Sequence, residues 1–373
     1  MRHSFVGLFL LAVYVLVNVY VCLRIRSLFS ERRHRRIVVL SCTLLALAFP
    51  AAELLSHASG AAWAEPVAFL GSFALPYLLY LFLSVLLFDV FLLLRRLLKV
   101  PRGPRLRWIA LSTLLAVPLI VIVAGWVHHG RIRVNAYRVE VPAKASSIGR
   151  LRIALAADFH LRATTPDTLM PRFVEMVNAL HPDIILIPGD VLEGDRQDES
   201  AAEVERQLRR LAATYGVWAS YGNHEHHGGK GREAFFSKSN IHTLRDEVVK
   251  IDQAFYLAGR KDSHGGGRKD IDDLLKSATE PLPVIVLDHR PADLENVGRS
   301  KADFQVSGHT HGGQLWPLNL VSWWLYGLSH GYKKVGGAHV FVTSGLQVWS
   351  APVRTAGDSE IMLIDVVFVK GGR

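Results

Sequence analysis

Four long apolar segments occupy the first third of the chain. They run over Phe5–Leu23, Ile37–Leu55, Val67–Leu94 and Trp108–Val127. Each is close to the roughly 20 residues that a helix needs to cross a bilayer. A single segment of this kind could be a buried core helix, but four in succession, separated by short polar loops, predict a region of four transmembrane helices over residues 1–130.

The third apolar segment carries two residues that are unusual in a spanning helix. Pro76, together with the greater length of the segment, predicts a tilted or kinked helix. Asp89 is an intramembrane carboxylate, a residue type that often marks an ion pathway. It lies near the end of its segment, where the side chain can reach the interface. The hypothesis that the four helices form a transporter depends on this one residue and is therefore disfavoured.

The net charge of +10 is concentrated beside the apolar segments. Residues 1–130 hold 13 Lys+Arg against 4 Asp+Glu, whereas residues 131–373 hold 30 against 29. The first and third loops each carry six basic residues and Ser56–Pro66 carries none. By the positive-inside rule the basic loops face the cytoplasm, and everything after Val127 faces outward. We therefore predict a multi-pass protein of the cytoplasmic membrane. Because the excess positive charge lies beside the apolar segments, it does not indicate a nucleic-acid partner.

From Arg150 onward, short apolar strands alternate with helical segments. The predicted helices are Thr168–Leu180 and Glu199–Ala213, and the predicted strands are Leu151–Ala157, Asp183–Pro188, Gly216–Tyr221, Val284–Leu287, Phe304–Ser307, His339–Thr343 and Ile361–Val367. This alternation is typical of an α/β layered domain. We predict such a domain over residues 150–373, joined to the membrane region by a linker over residues 131–149.

Polar side chains follow five of the predicted strands. They are Asp158 and His160; Asp190; Asn223, His224 and Glu225; Asp288 and His289; and His309 and His311. Sheets of α/β domains bind ligands just past the carboxyl ends of their strands. Residues i and i+2 of an extended segment project to the same side, so Asp158 with His160, and His309 with His311, can each offer two ligands in one direction.

These clusters together predict a metal centre. The candidate ligands are Asp158, His160, Asp190, Asn223, His289, His309 and His311. Carboxylate, amide and imidazole donors without a thiolate suit Mn, Fe or Zn. Seven donors are more than one ion needs, and two ions sharing a bridging carboxylate fit the number. Each cluster alone is more often structural than catalytic, but their ordered occurrence after successive strands favours the metal centre. Asp288 is interpreted as a structural neighbour of His289.

The ordered motifs Asp-x-His, Gly-Asp, Gly-Asn-His-Glu, His and Gly-His-x-His resemble those of the calcineurin-like metallophosphoesterases. The resemblance covers roughly Leu151–Val367. Segments that resemble the bacterial membrane-anchored branch are Gly308–Gln314, Gly336–Gly337, Ser344–Leu346 and Pro352–Arg354. The resemblance implies a two-layer β-sandwich flanked by helices, with two divalent metal ions at one edge and hydrolysis of a phosphomonoester or phosphodiester.

The resemblance also implies a role for each site residue. It assigns Asp158, His160 and His311 to one ion, Asn223, His289 and His309 to the other, and Asp190 to both. It makes His224 the group that protonates the leaving alkoxide or stabilises its charge, with Glu225 as a partner that orients His224. The family commonly has an Asp three residues after the bridging one. This chain has Glu193 there, with Asp195 beyond, so the hydrogen bonding around the ligands is expected to differ.

The segment Gln314–Tyr326, which follows the last His motif, bears on the substrate. Its three tryptophans and one tyrosine suit either a bilayer interface or a buried core segment. The interface interpretation favours a phospholipid or lipid-linked phosphate. Two alternatives stay open: a nucleotide-sugar lipid pyrophosphatase of the UDP-diacylglucosamine type, whose cytoplasmic site the loop charges oppose, and a non-catalytic membrane sensor that keeps the fold, which the complete ligand set disfavours.

Overall fold

The computed structural model describes residues 2–58, 63–100, 105–162, 165–193, 199–226, 231–263 and 266–369. The chain divides into two compact units, Met1–Val127 and His128–Arg373. Asp195 and His227 lie outside the described residues.

The first unit is helical. Its helices are α1 (Arg2–Arg26), α2 (Arg32–Ala58), α3 (Ala64–Ser72), α4 (Ala74–Leu97) and α5 (Leu106–His129). In the described part of the chain, four segments are long and apolar enough to cross a membrane: Gly7–Arg26, Arg32–Leu55, Pro66–Leu97 and Leu106–His129. These segments confirm the four predicted helices.

The third membrane segment is broken where the sequence predicts a kink. Helix α3 ends at Ser72 and α4 begins at Ala74, with Phe73 between them. Pro76 lies in the first turn of α4, where its missing N–H has no intrahelical partner to lose. The break therefore costs little backbone hydrogen bonding.

Asp89 is paired with α1 rather than reaching the interface alone. The Tyr20 hydroxyl donates to its Oδ2 at 2.6 Å, and the Arg24 Nε donates to its two oxygens at 2.9 and 2.7 Å. An ion pair of this kind lowers the cost of a carboxylate in an apolar region. Asp89 thus links α4 to α1 within the first unit.

The second unit contains two six-stranded sheets. Its strands are β1 (Ile132–Pro142), β2 (Arg150–Leu155), β3 (Ile184–Pro188), β4 (Val217–Ser220), β5 (His242–Leu244), β6 (Glu247–Ile251), β7 (Phe255–Gly259), β8 (Val284–Leu287), β9 (Phe304–Ser307), β10 (Gly331–Val335), β11 (Ala338–Val342) and β12 (Ser359–Val369). The first sheet has the order β1-β12-β2-β3-β4-β5 and the second β10-β11-β9-β8-β7-β6. The α/β fold is confirmed.

Buried apolar side chains join the two sheets. Leu155 and Leu186 of the first sheet pack in one cluster with Leu287, Phe304 and Phe341 of the second, and each of the five is fully buried. Strands β2, β3 and β4 are neighbours in parallel, and so are β8 and β9. Because the sheets pack face to face, the carboxyl ends of these five strands come together at one edge.

Helices cover the outer faces of the sheets. The remaining helices are α6 (Leu169–Ala179), α7 (Glu199–Leu208), α8 (Asn223–His226), α9 (Gly231–Lys238), α10 (Ile271–Leu274), α11 (Leu294–Arg299) and α12 (Leu318–Tyr326). Helices α6, α7 and α9 share a core with the first sheet, and α10 and α11 share one with the second. Helix α12 has no buried residue.

The prediction of a linker over residues 131–149 is wrong for most of that segment. Residues Ile132–Pro142 form β1, which pairs in parallel with β12 from Ile132↔Ser359 to Pro142↔Val369. The segment alternates apolar and polar residues, as a half-buried strand does, and Val139 and Val141 enter the core between the sheets. Its strand character was obscured by four charged or amide side chains. Strands β5, β6, β7 and β10 were also missed; β5, β6 and β10 are edge strands of their sheets.

Candidate metal centre

The loops after β2, β3, β4, β8 and β9 meet at the shared sheet edge. The backbone N–H of His160 donates to the Asp190 carbonyl at 3.0 Å, and that of Gly308 donates to the His289 carbonyl at 2.9 Å. The N–H of His309 donates to both carboxylate oxygens of Asp158 at 3.0 Å. Backbone hydrogen bonds therefore fix the relative positions of the predicted ligands.

Five of the seven predicted ligands have a left-handed backbone. The φ angles are 53° for Asp158, 41° for His160, 53° for Asp190, 71° for His309 and 51° for His311. A side chain other than glycine costs about 1–3 kcal/mol in this region, and such residues cluster at functional sites. The left-handed residues therefore lie in the loops after β2, β3 and β9, where the candidate ligands are grouped.

Glycine is required where the loops approach closely. A Cβ added to Gly308 would come within 2.5 Å of the Asp158 Oδ2. One added to Gly189, whose φ is +86°, would come within 2.7 Å of the His289 Nδ1. The Gly-Asp and Gly-His-x-His motifs therefore need these glycines for packing as well as for the turn.

The predicted ligands form interlocking groups. Ligand atoms lie within 4.8 Å of one another in the group Asp158–His160–His311, in the group His160–Asp190–His224, and in the group Asp190–His289–His309. Asp190 belongs to two of these groups, as a bridging carboxylate would. Its Oδ2 lies 3.1 Å from the His289 Nε2 and 3.9 Å from the His160 Nε2.

The spacing of the imidazole rings fits divalent metal ions. The Nε2 atoms of His160 and His311 are 3.2 Å apart, and so are the His289 Nε2 and the His309 Nδ1. Two nitrogens bound at about 2.0–2.1 Å in tetrahedral geometry lie about 3.4 Å apart. In addition, the His289 Nδ1 faces the Pro188 carbonyl oxygen at 2.8 Å. This contact puts the proton on Nδ1 and leaves the Nε2 lone pair for a ligand.

Asn223 adds an amide oxygen to the second group. Its Oδ1 lies 3.2 Å from the His289 Nε2 and also accepts from the Arg290 Nη2 at 3.2 Å. All seven predicted ligands are thus brought together at one place. Their nitrogen and oxygen donors suit Mn, Fe or Zn.

The local charge favours a bound cation. Burial by itself favours a neutral imidazole, but the Asp190 carboxylate raises the pKa of His289 to about 10. Burial likewise disfavours the charged carboxylate, yet His289 and His160 hold the pKa of Asp190 well below its usual value. The Asp190 carboxylate therefore stabilises positive charge near the nitrogens of His289 and His160. When both imidazole rings are neutral, a bound metal ion would provide that positive charge.

Glu193 lies beside the ligand His160. Its Oε2 is 3.3 Å from the His160 Nδ1, and the Arg162 Nε donates to the same oxygen at 2.6 Å. Although burial opposes ionisation, His160 and Arg162 lower the pKa of Glu193 to about 2. The longer Glu side chain therefore reaches a ligand from the position where the family commonly has Asp.

His224 projects from the start of α8 toward the centre. Its ring centroid lies 4.8 Å from that of His160, and its Nδ1 lies 3.9 Å from the Glu193 Oε1. Its side chain is 24% exposed, in contrast to 1% for His160. His224 is thus reachable by a bound molecule.

Glu225 does not orient His224, so that prediction is wrong. The Glu225 carboxylate is buried and accepts backbone N–H groups from Asp190 at 2.9 Å, Val191 at 2.6 Å, Leu192 at 3.0 Å and Gly222 at 2.7 Å. The side chain turns away from the ring because four N–H groups that lack sheet partners converge on it. Glu225 therefore fixes the loop that carries Asp190.

Buried arginines support the loops of the candidate metal centre at two places. Asp288 accepts from Arg260 at 3.0 Å and from Arg268 at 2.5 Å, which agrees with a structural interpretation of Asp288. Arg354 is fully buried and donates to the carbonyl oxygens of His311 at 3.0 Å, Ser344 at 2.9 Å and Gln347 at 2.7 Å. Nothing in the local sequence marks Arg354 as buried, so this role was not predicted.

Helix α12 is an exposed apolar element beside the centre. Trp323 is 63% exposed and Trp324 is 76% exposed, so neither side chain belongs to the core of the second unit. The helix is nonetheless anchored to the site, because the Tyr326 ring centroid lies 5.8 Å from that of His309. A large apolar surface beside a polar site is typical of an interaction surface.

The role of Glu225 can be tested by replacing it with glutamine. Glu225→Gln keeps the shape but places an amide NH₂ against backbone N–H groups, leaving donors unsatisfied. We expect the free energy of unfolding to fall by about 1–3 kcal/mol and metal retention to weaken. Denaturant unfolding of the full-length protein in detergent, with metal analysis, measures both.

Glu233→Gln is the matched control for this experiment. The Glu233 side chain is 74% exposed and makes one ion pair, with Arg245. We expect a change within about 0.5 kcal/mol for this surface substitution. Equal stability of Glu225→Gln and the wild-type protein would contradict the proposed loop-fixing role.

Comparison with known proteins agrees with this geometry. Residues 151–313 match the family model described as calcineurin-like phosphoesterase. An uncharacterised metallophosphoesterase of Helicobacter pylori is 33% identical over 224 residues, which cover 57% of this chain and 58% of that protein. A bovine transmembrane protein with a metallophosphoesterase domain is 31% identical over 246 residues, covering 60% of this chain and 55% of that protein.

The chain thus spans little more than half the length of these two relatives. The family is two-metal dependent, and the described residues hold three groups of candidate metal ligands. The family model extends from β2 to just past β9, so it includes the five strand ends described above. Residues 151–313 of this protein are therefore similar to calcineurin-like phosphoesterases, and they follow four candidate membrane-spanning segments.

Proposed function

We propose that this protein is a membrane-bound hydrolase that cleaves a phosphomonoester or phosphodiester with two divalent ions. The observation that carries the proposal is the sharing of Asp190 between two groups of ligand atoms. We assign Asp158, His160 and His311 to one ion, Asn223, His289 and His309 to the other, and Asp190 to both. When bound, such ions neutralise phosphoryl oxygens and lower the pKa of a bound water.

His224 is proposed to protonate the leaving alkoxide. Its ring is partly exposed beside His160, so a bound ester can reach it. Burial lowers the pKa of His224, while the Asp190 carboxylate opposes this shift. A lowered pKa makes the protonated ring a stronger acid, which favours transfer to an alkoxide. The nearby Glu193 carboxylate stabilises the protonated form.

Variants of these residues test the proposal directly. We expect the purified full-length protein to hold close to two equivalents of Mn, Fe or Zn and to hydrolyse p-nitrophenyl phosphates. Asp190→Ala should lose metal and activity together. His224→Ala should lower kcat by about 10²–10⁴-fold with little change in metal content, as loss of a general acid does.

Two outcomes would contradict the assignments. Full metal loading with no turnover of any phosphoester would instead support a non-catalytic sensor. Loss of both ions from His224→Ala would make His224 a ligand rather than a proton donor. Metal analysis of each variant distinguishes these cases.

We further propose that the substrate is a phospholipid or lipid-linked phosphate at the membrane surface. The apolar residues of α12 are exposed, and the helix is anchored beside His309 through Tyr326. The second unit begins where the fourth apolar segment ends, so the chain itself keeps this unit near a bilayer. Tryptophan-rich apolar helices of this kind lie in the bilayer interface. A lipid bilayer is therefore the proposed partner of α12.

Substitution of the two most exposed tryptophans tests this substrate class. Trp323→Ser with Trp324→Ser should lower activity on phosphatidic acid in mixed micelles about tenfold or more, because interfacial binding scales with apolar area. Activity on soluble p-nitrophenyl phosphate should change less than about twofold. Val369→Ser, which alters an exposed apolar residue at the end of β12, is the control. Equal losses on both substrates would contradict the proposal.

The domain is proposed to lie outside the cytoplasm in the cytoplasmic membrane, on the basis of the loop charges. A reporter fused after Arg373 should be active only in the form that requires export. Activity of the cytoplasmic form alone would reverse the topology. That result would favour a nucleotide-sugar lipid pyrophosphatase, whose substrate is cytoplasmic.

A further inference from the structure

One arginine reaches the metal centre without having been assigned to it. Arg290 follows the ligand His289 directly in sequence. Its Nη2 donates to the Asn223 Oδ1 at 3.2 Å, and its Nε donates to the Asp262 Oδ2 at 2.8 Å. These two bonds use two of the five N–H donors of a guanidinium.

The position of Arg290 differs from that of the other arginines near this loop. Arg260 and Arg268 pair with Asp288 behind His289, and their side chains are 4% and 10% exposed. Arg290 is 15% exposed, whereas its partner Asp262 is fully buried. The buried Asp262 carboxylate therefore holds a partly exposed guanidinium next to Asn223.

A fixed positive charge at this place has an electrostatic cost. Asn223 is a proposed metal ligand, so the guanidinium lies beside a position that would carry a cation, and like charges repel. An anion bound between them removes that repulsion. Guanidinium groups bind phosphate oxygens with directed, charge-assisted hydrogen bonds. The arrangement is thus suited to a phosphoryl group.

We propose that Arg290 binds a non-bridging oxygen of the substrate phosphoryl group and so favours phosphomonoesters over phosphodiesters. This inference rests on the hydrolase proposed above. A monoester has three non-bridging oxygens and a charge near −2 at neutral pH, whereas a diester has two such oxygens and a charge of −1. A monoester therefore keeps an oxygen for Arg290 when two others face the metal ions.

Tyr326 connects this side of the centre to α12. Its ring centroid lies 5.8 Å from that of His309, and the His309 ring centroid lies 5.0 Å from that of His289, the residue before Arg290. A phosphate bound at Arg290 would therefore lie on the same side of the centre as the exposed apolar helix. This agrees with a lipid whose phosphate is terminal.

The test uses Arg290→Gln in the full-length, Mn-loaded protein in detergent. We expect kcat/KM for p-nitrophenyl phosphate to fall about 10–100-fold, as for the loss of one hydrogen bond between charged groups. For bis-p-nitrophenyl phosphate we expect a fall of less than about threefold. Calorimetry should show that the Kd for inorganic phosphate rises by a factor similar to that of the monoester, with metal content unchanged.

Two further variants keep the inference open to contradiction. Asp262→Asn releases the guanidinium and should weaken phosphate binding less than Arg290→Gln does. Arg299→Gln is the control, because it removes an exposed arginine that donates to Asn296 within α11, away from the proposed ligands; it should leave the phosphate Kd within about twofold. If Arg290→Gln does not fold, Arg290→Lys replaces it, and that variant should also lose monoester preference because lysine lacks the planar fork.

The outcomes separate this inference from the hydrolase proposal. An unchanged phosphate Kd in Arg290→Gln, or equal losses on monoester and diester, overturns the role of Arg290. Absence of turnover in the wild-type protein overturns the hydrolase. In that case a higher phosphate Kd in Arg290→Gln would still assign anion binding to Arg290.

Discussion

The Asp190 carboxylate is the interaction on which the rest of the site depends. It lies within reach of ring nitrogens from both sheets, His160 on one side and His289 on the other. Two positively charged groups can be held close together only if an anion lies between them. The site is therefore organised around one shared negative charge, and the neighbouring loops are built to keep it in place.

Keeping Asp190 in place requires the backbone to be held in a strained form. Asp190 has a left-handed φ of 53°, and its N–H is fixed by the buried Glu225. The same carboxylate of Glu225 binds the next two N–H groups and that of Gly222. A single buried side chain thus offsets the strain of the loop after β3 and joins it to the loop after β4.

The arginines around the His289 loop differ in exposure and in partner. Arg260 and Arg268 are buried and pair with the buried Asp288, where they support that loop. Arg290 is partly exposed and donates to Asn223. In the proposed hydrolase, the preference between monoester and diester would therefore depend on an arginine that no metal-binding motif includes.

Most of the ligand set followed from the sequence because it depends on local patterns. Each ligand comes directly after a short apolar strand, and parallel strands bring their ends to one edge. Strand β1 was predicted as a linker although its apolar side chains alternate with polar ones, because four of its eleven residues are charged or amide and its partner β12 is more than two hundred residues away. The alternation is a local strand signal, but the pairing itself depends on tertiary contacts.

Hydropathy, periodicity and residue chemistry are local properties, so the four candidate membrane-spanning segments, the α/β alternation and the candidate metal-binding side chains could all be predicted from the amino-acid sequence. The direction in which an individual side chain turns depends instead on the packing of distant segments. Glu225 binds backbone N–H groups instead of His224, and Arg290 reaches Asn223 from another loop. These choices depend on which donors and acceptors meet when distant segments pack, and that is settled by the three-dimensional arrangement of the chain.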